Sequence, residues 1–287
     1  MATQAGELKF SQTLDFSNKH RSVIEGTSKA KMTFTDQDRQ DFGANGGAFL
    51  DGIDAFHAGE MTPETYIEQV FVGLWSAIGR HRKSIPSQAQ ILSSVPSTAL
   101  AGLLCDIPAM MRDHLGEIHV GTEVSCISGT AEDGSPLCKN QDVAIYFTSN
   151  GRNVPLIAWE VKENYIDKTM LEGTKSTGLS TMAVFKHART EVMTPAITGG
   201  KPGRHVKMRI LCPSQTGRNA DNRVFDAATI LAIRNDAIAY LKSLDRETLT
   251  GWSFPDYSTF IVEKTLLELE GQPEAISKLK EALLYSG

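Results

Sequence analysis

Asp142, Glu160 and Lys162 are the residues whose types and spacing best suit chemistry. Asp142 opens the apolar run Asp142-Val143-Ala144-Ile145-Tyr146-Phe147, and Glu160 and Lys162 close a second, Val154-Pro155-Leu156-Ile157-Ala158-Trp159-Glu160-Val161-Lys162. Thr148 to Asn153, a stretch bearing Ser, Asn and Gly, separates them, so the pattern predicts a β-hairpin. Side chains alternate along a strand, which sends Glu160 and Lys162 to one face and Trp159 and Val161 to the other. Antiparallel pairing then brings Asp142 beside Glu160. Two carboxylates held so close repel unless a cation lies between them, and hard oxygen ligands of this number suit Mg²⁺. Such an ion polarises a phosphoryl oxygen, while Lys162 serves either as a base or as an electrostatic clamp on the charged phosphate. The chemistry predicted is phosphodiester hydrolysis. The same three residues have a structural reading, an ion pair between Lys162 and either acid on an edge strand.

Several elements must hold this hairpin. Thr62, Pro63 and Glu64 start a helix whose apolar face is Tyr66, Ile67, Val70, Phe71, Leu74, Trp75 and Ile78 and which ends in the cationic cluster Arg80-His81-Arg82-Lys83. That cluster complements a helix C-terminus and could equally touch phosphates. Pro86 and Pro96 are expected to punctuate short helices, among them Thr98 to Leu104 and Ile107 to Leu115. Thr35 or Asp36 could cap a helix entering Phe42, weakened by Gly43, Gly46 and Gly47. No strand precedes these glycines and no Gly-Lys-Ser/Thr follows, so a phosphate-binding loop is excluded there. Ile118 to Ile127 alternates as a strand, the two acid-bearing strands follow, Asp167 to Glu191 carries helix-like segments, and Val206 to Cys212 supplies a fourth strand. A helix from Asp226 to Leu241 and terminal helices from Ser258 to Leu269 and Pro273 to Leu284 complete the core or form a dimer face.

An Asp, a gap, an acid, any residue and a Lys is the signature of the PD-(D/E)XK nuclease superfamily, which the chain resembles from Ile118 to about Ser214. Its second acid comes eighteen positions after the first, and Gln141 stands where the family usually has Pro. The resemblance implies an α/β protein with a restriction-endonuclease-like α-β-β-β-α-β core, a mixed central sheet flanked by helices. The strand, strand, strand, helix, strand order read above agrees with that core. It also implies one or two Mg²⁺ ions held by Asp142 and Glu160, catalysis by these two with Lys162, and an accessory acid. Glu123 leads for that last role, ahead of Asp106 and Asp113. The activity expected is that of a type II restriction enzyme cutting double-stranded DNA. The alternatives are another nuclease of the fold acting in repair or phage defence, and a non-catalytic DNA-binding protein that keeps the fold.

The chain has 287 residues, is 41% hydrophobic and carries a net charge of −5. Nonspecific coating of nucleic acid needs a cationic surplus, which this composition excludes; a locally basic cleft is compatible with it. The loops Gly199 to His205 and Ser214 to Arg223 are the candidates for DNA reading, through Lys201, Arg204, Gln215, Arg218, Asn219 and Arg223, because Arg matches guanine and Asn or Gln matches adenine in the major groove. A palindromic target would call for a homodimer. Cys105, Cys126, Cys138 and Cys212 lack metal-ligand spacing and read as core thiols. With no apolar stretch of membrane length and no leader pattern, a cytoplasmic protein without membrane contact is expected. Residues 1–34 read as a polar, solvated arm. Residues 35–287 read as one catalytic domain, with a helical part at 35–115, the nuclease core at 116–214 and C-terminal helices at 222–287.

Overall fold

The computed structural model describes residues 8–130, 136–149, 151–163, 173, 189–194, 207–211 and 224–247. Five strands form one mixed sheet in the order β1 (His119–Thr130), β2 (Pro136–Ser149), β3 (Arg152–Val161), β4 (Arg189–Thr194) and β5 (Lys207–Ile210). The first three are antiparallel, and β3, β4 and β5 run parallel. Arg189 to Glu191 was expected to end a helical stretch and instead opens the strand Arg189–Thr194; the expected fourth strand is therefore the fifth. Parallel pairing explains the change, since β4 borrows its backbone partners from β3, a contact that local sequence does not encode. The connection from 164 to 188 lies outside the described residues apart from Gly173, and with it the helix expected between the third and fourth strands.

The helical elements include α1 (Asp15–Ile24), α2 (Asp36–His57), α3 (Pro63–Tyr66), a π-helical stretch (Ile67–Leu74), α4 (Trp75–Gly79), α5 (Ile91–Leu104), α6 (Ile107–Leu115) and α7 (Ala227–Ser243); α5 lies against β1 and β2 and α7 against β5, and the others pack on helices. The segment expected to be a solvated arm departs most from the sequence reading. Leu14 and Phe16 are fully buried, and Phe16 packs edge-on against Phe49 of α2 with ring centroids 5.2 Å apart. Its polar residues obscured three well-placed apolar ones, Leu14, Phe16 and Val23. The glycines of α2 also serve packing. A Cβ on Gly46 would lie 2.3 Å from His20 Nε2, and one on Gly52 would lie 2.5 Å from Val70 Cγ2, so their absence lets α1 and the π-helical stretch approach. Thr35 caps α2 by accepting from the Asp38 N–H at 3.1 Å, and Asp38 answers through its carboxylate.

Pro96 was expected to end a helix and instead lies inside α5, whose side chains are almost all buried. Burial on every side outweighs the one lost backbone bond. Arg234 fastens α7 to this layer. It is 5% exposed and binds Asp106 bidentately at 2.5 and 2.7 Å while donating to the Leu103 carbonyl at 2.7 Å. Cys105 and Cys126 are buried as expected; Cys138 is exposed, and Cys212 lies outside the described residues. No single helix among the described residues is long and apolar enough to cross a membrane.

Candidate active site

The hairpin forms as predicted, with strands that run further into the turn than the sequence suggests. Its register is set there by Ser149 opposite Arg152, Thr148 opposite Asn153 and Tyr146 opposite Pro155. Extended unchanged, that register would put Asp142 across from Trp159. It changes between Ile145 and Tyr146, where β3 holds one extra residue, Leu156, beside Pro155, which has no N–H to give the ladder. Beyond this bulge Ile145 pairs with Ile157, Ala144 with Ala158 and Val143 with Trp159. The next rung sets Asp142 across from Glu160. A one-residue slip exchanges the faces of a strand, so the bulge is what lets the two acids share a side while Trp159 enters the core.

The back of β3 is anchored accordingly. Trp159 is 1% exposed and its indole N–H donates to Glu191 Oε2 at 3.1 Å, on the β4 residue paired with it. Val161 is also buried, as the alternation required. On the front, Asp142 Oδ2 accepts from the Val161 N–H at 2.7 Å, and Lys162 Nζ is bonded to Glu160 Oε1. Each carboxylate thus has one oxygen engaged by the hairpin itself. Burial, and then the negative charge of Glu160, push the Asp142 carboxyl up to about 7; Lys162 and the Val161 N–H pull the other way, and Glu123 adds to the rise.

Glu123 lies in β1 on the same rung. Thr122 pairs with Val143 and Val124 with Gln141, which places Glu123 across from Asp142. Its φ of +51° is left-handed, a strained conformation for a residue with a Cβ. The strand changes face there: Val120 packs into the main core, whereas Val124 and Cys126 pack with Ala144 and Tyr146 on the other side. Glu123 is exposed, with Asn140 Nδ2 at 3.4 Å from its Oε2. Acids of three neighbouring strands therefore line up, yet among the described residues no three His, Cys, Asp or Glu side chains converge tightly enough to hold an ion. Asp142 and Glu160 remain a two-carboxylate set. That donor set fits Mg²⁺, which takes one or two protein carboxylates and keeps water or phosphate oxygens in its other positions. Their mutual repulsion is the kind a divalent ion relieves.

The other accessory candidates are placed elsewhere. Asp106 is committed to Arg234, and Asp113 is exposed on α6. Lys201, Arg204, Gln215, Arg218, Asn219 and Arg223 lie outside the described residues. Sequence reasoning missed Glu163, which meets Arg82 at 2.6 Å and so brings the cationic cluster to the end of β3. Its position next to Lys162 was the only available signal.

Neither a protein-family model nor a curated protein matches this chain. Among solved structures it is similar to the native BbvCI A2B2 tetramer, with a TM-score of 0.50 and 13% identity over 80% of this chain and 96% of that one. At this identity the likeness is one of fold alone: helices and a mixed sheet whose antiparallel part is β1, β2 and β3.

Proposed function

We propose that this protein is a Mg²⁺-dependent, sequence-specific endonuclease of double-stranded DNA, a type II restriction enzyme. The observation that carries the reading is the shared rung of Asp142 and Glu160 on one face of the hairpin, with Lys162 bonded to the second acid. The fold likeness to BbvCI, a type II restriction enzyme, supports the same class.

Asp142 and Glu160 would hold the ion, which when bound polarises a phosphoryl oxygen and offsets charge on the leaving oxygen. Lys162, tied to Glu160, keeps an ammonium beside the phosphate as its negative charge grows. A proton on the elevated Asp142 carboxyl would leave as the ion enters, so ion binding is tied to pH. Trp159 and Val161 hold the strand from behind, which fixes the acids before substrate arrives. Base reading is assigned to Lys201, Arg204, Gln215, Arg218, Asn219 and Arg223, and two copies of the chain would meet a palindromic site.

Incubation of the purified protein with phage DNA and Mg²⁺ tests this. Discrete fragments are expected, and Asp142→Ala, Glu160→Ala and Lys162→Ala should abolish them while duplex binding in Ca²⁺ persists. Near-wild-type cutting by any of the three variants would overturn the assignment. A smear would replace a restriction enzyme by a nonspecific nuclease. Cation binding that is indifferent to Asp142 and Glu160, measured by calorimetry, would make the acids part of a structural ion pair. Sedimentation with and without DNA distinguishes a homodimer from the unlike-subunit arrangement that A2B2 denotes for BbvCI.

A further inference from the structure

A second feature borders this site. Arg82, Ser87, Gln90, Leu92, Ser93 and Glu163 are among the residues that line a cavity of about 350 Å³ between the end of the α4 helical run, the start of α5 and the residue that follows Lys162. That volume is at the lower end of small-ligand sites and takes roughly one nucleotide unit. Its lining combines one guanidinium, one amide and two hydroxyls, groups suited to a phosphate and its sugar, with the Glu163 carboxylate and an apolar wall of Ile85, Pro86 and Leu92.

Two details mark the cavity as more than a surface dent. Arg82 is held through Nη2 by Glu163 at 2.6 Å, while its Nε is shielded from solvent and has no hydrogen-bond partner among the described residues. Glu163 alone therefore does not exhaust the hydrogen-bonding capacity of this guanidinium. Gln90 has φ +51°, so a non-glycine residue is kept in the left-handed region on the cavity wall. Strain of this kind concentrates at ligand-binding positions. Arg80 and Lys83 of the same turn are exposed, which adds positive charge near the cavity in a chain that is acidic overall.

We infer that this cavity is a phosphodiester subsite: it seats a backbone phosphate of the nucleic acid next to the bond held at Glu160 and Lys162, with Arg82 as its anchor. The inference rests on the nuclease reading. In the free protein Glu163 holds the guanidinium in place and neutralises it; in the complex the phosphate shares the guanidinium with Glu163. Glu163 is thus a competitor of the ligand as well as a prop for Arg82, and the two residues have opposite effects on affinity.

Fluorescence anisotropy with a short fluorescein-labelled duplex of mixed sequence, in Ca²⁺ and across a salt series, tests that opposition. Arg82→Ala should weaken binding about fivefold to tenfold and lower the slope of log affinity against log salt by about 0.9, the value for one lost phosphate contact. Arg82→Lys should keep the slope and recover only part of the affinity. Glu163→Gln should tighten binding severalfold. A purely structural ion pair predicts losses from both Arg82→Ala and Glu163→Gln, so weakening by Glu163→Gln, or an unchanged affinity and slope for Arg82→Ala, would overturn the subsite. Inorganic phosphate is the second arm: displacement of the duplex from wild type at concentrations that leave Arg82→Ala unaffected supports the same anchor for a free anion. Absence of cleavage in Mg²⁺ with these binding effects intact would remove the nuclease reading and leave the phosphate site standing.

Discussion

Substitution of Asp142 by Asn should make the metal-free protein more stable, and by an amount that grows with pH. Burial and the charge of Glu160 raise the Asp142 carboxyl from the ordinary 3.8 to about 7. A raised acid favours the fold while protonated, so its contribution is complete below the unfolded value and is lost as pH climbs through the folded one. Each tenfold change in proton affinity is worth about 1.4 kcal/mol, so the ionised carboxylate works against the fold by about 4 kcal/mol above neutrality and by about 1–2 kcal/mol near pH 5. Asn keeps an oxygen for the Val161 N–H, which bonds Asp142 Oδ2 at 2.7 Å, and carries no charge at either pH. Urea unfolding in EDTA at about pH 5 and pH 8 should therefore show the Asn variant gaining about 2–3 kcal/mol on wild type between the two conditions. Millimolar Mg²⁺ should restore wild type at the higher pH and leave the variant unmoved. A difference that does not depend on pH, or an Asn variant less stable at the higher pH, would refute the claim that burial and the Glu160 charge raise the Asp142 carboxyl.

Three more outcomes follow from particular contacts. Glu123→Gly should raise the melting temperature, with a gain of about 1 kcal/mol from relief of the +51° backbone, and a fall in Mg²⁺ affinity in calorimetry would mark Glu123 as a contributor to the ion site. Arg234→Ala strands the partly buried Asp106 carboxylate and should cost about 3–5 kcal/mol in urea unfolding; a loss under about 1 kcal/mol would show that the pair does not fasten α7. Gly46→Ala drives a methyl group into the His20 ring and should destabilise by about 1–3 kcal/mol in thermal melts, although alanine is the better helix former; a stabilised variant would contradict the close approach of α1 and α2.

What could be read from the sequence was set by short-range signals. The hairpin, the α6 helix and the helix starting near Asp226 were all legible, because apolar runs and turn residues act within a few positions. The juxtaposition of Asp142 and Glu160 was also read, though its cause, the extra residue at Leu156, was not. Long-range packing hid the rest. α1 reads as polar until Phe16 is seen against Phe49, α2 reads as broken by glycine until His20 and Val70 fill the space beside it, and β4 exists through its partner β3. Arg82 carried its charge in plain view, but only the fold brings it to Glu163.

The bulge has a consequence for counting. In this hairpin the closing pair, Ser149 and Arg152, is three positions apart, so every pair of facing residues in an uninterrupted ladder has an odd separation. Asp142 and Glu160 have an even one. Parity alone therefore demands an odd number of supernumerary residues between them, and Pro155 marks the locality of the one found. A search for similar sites in other chains should test whether acid spacing and turn length disagree in parity, since agreement would point one of the acids to the wrong side of the sheet unless a bulge intervenes.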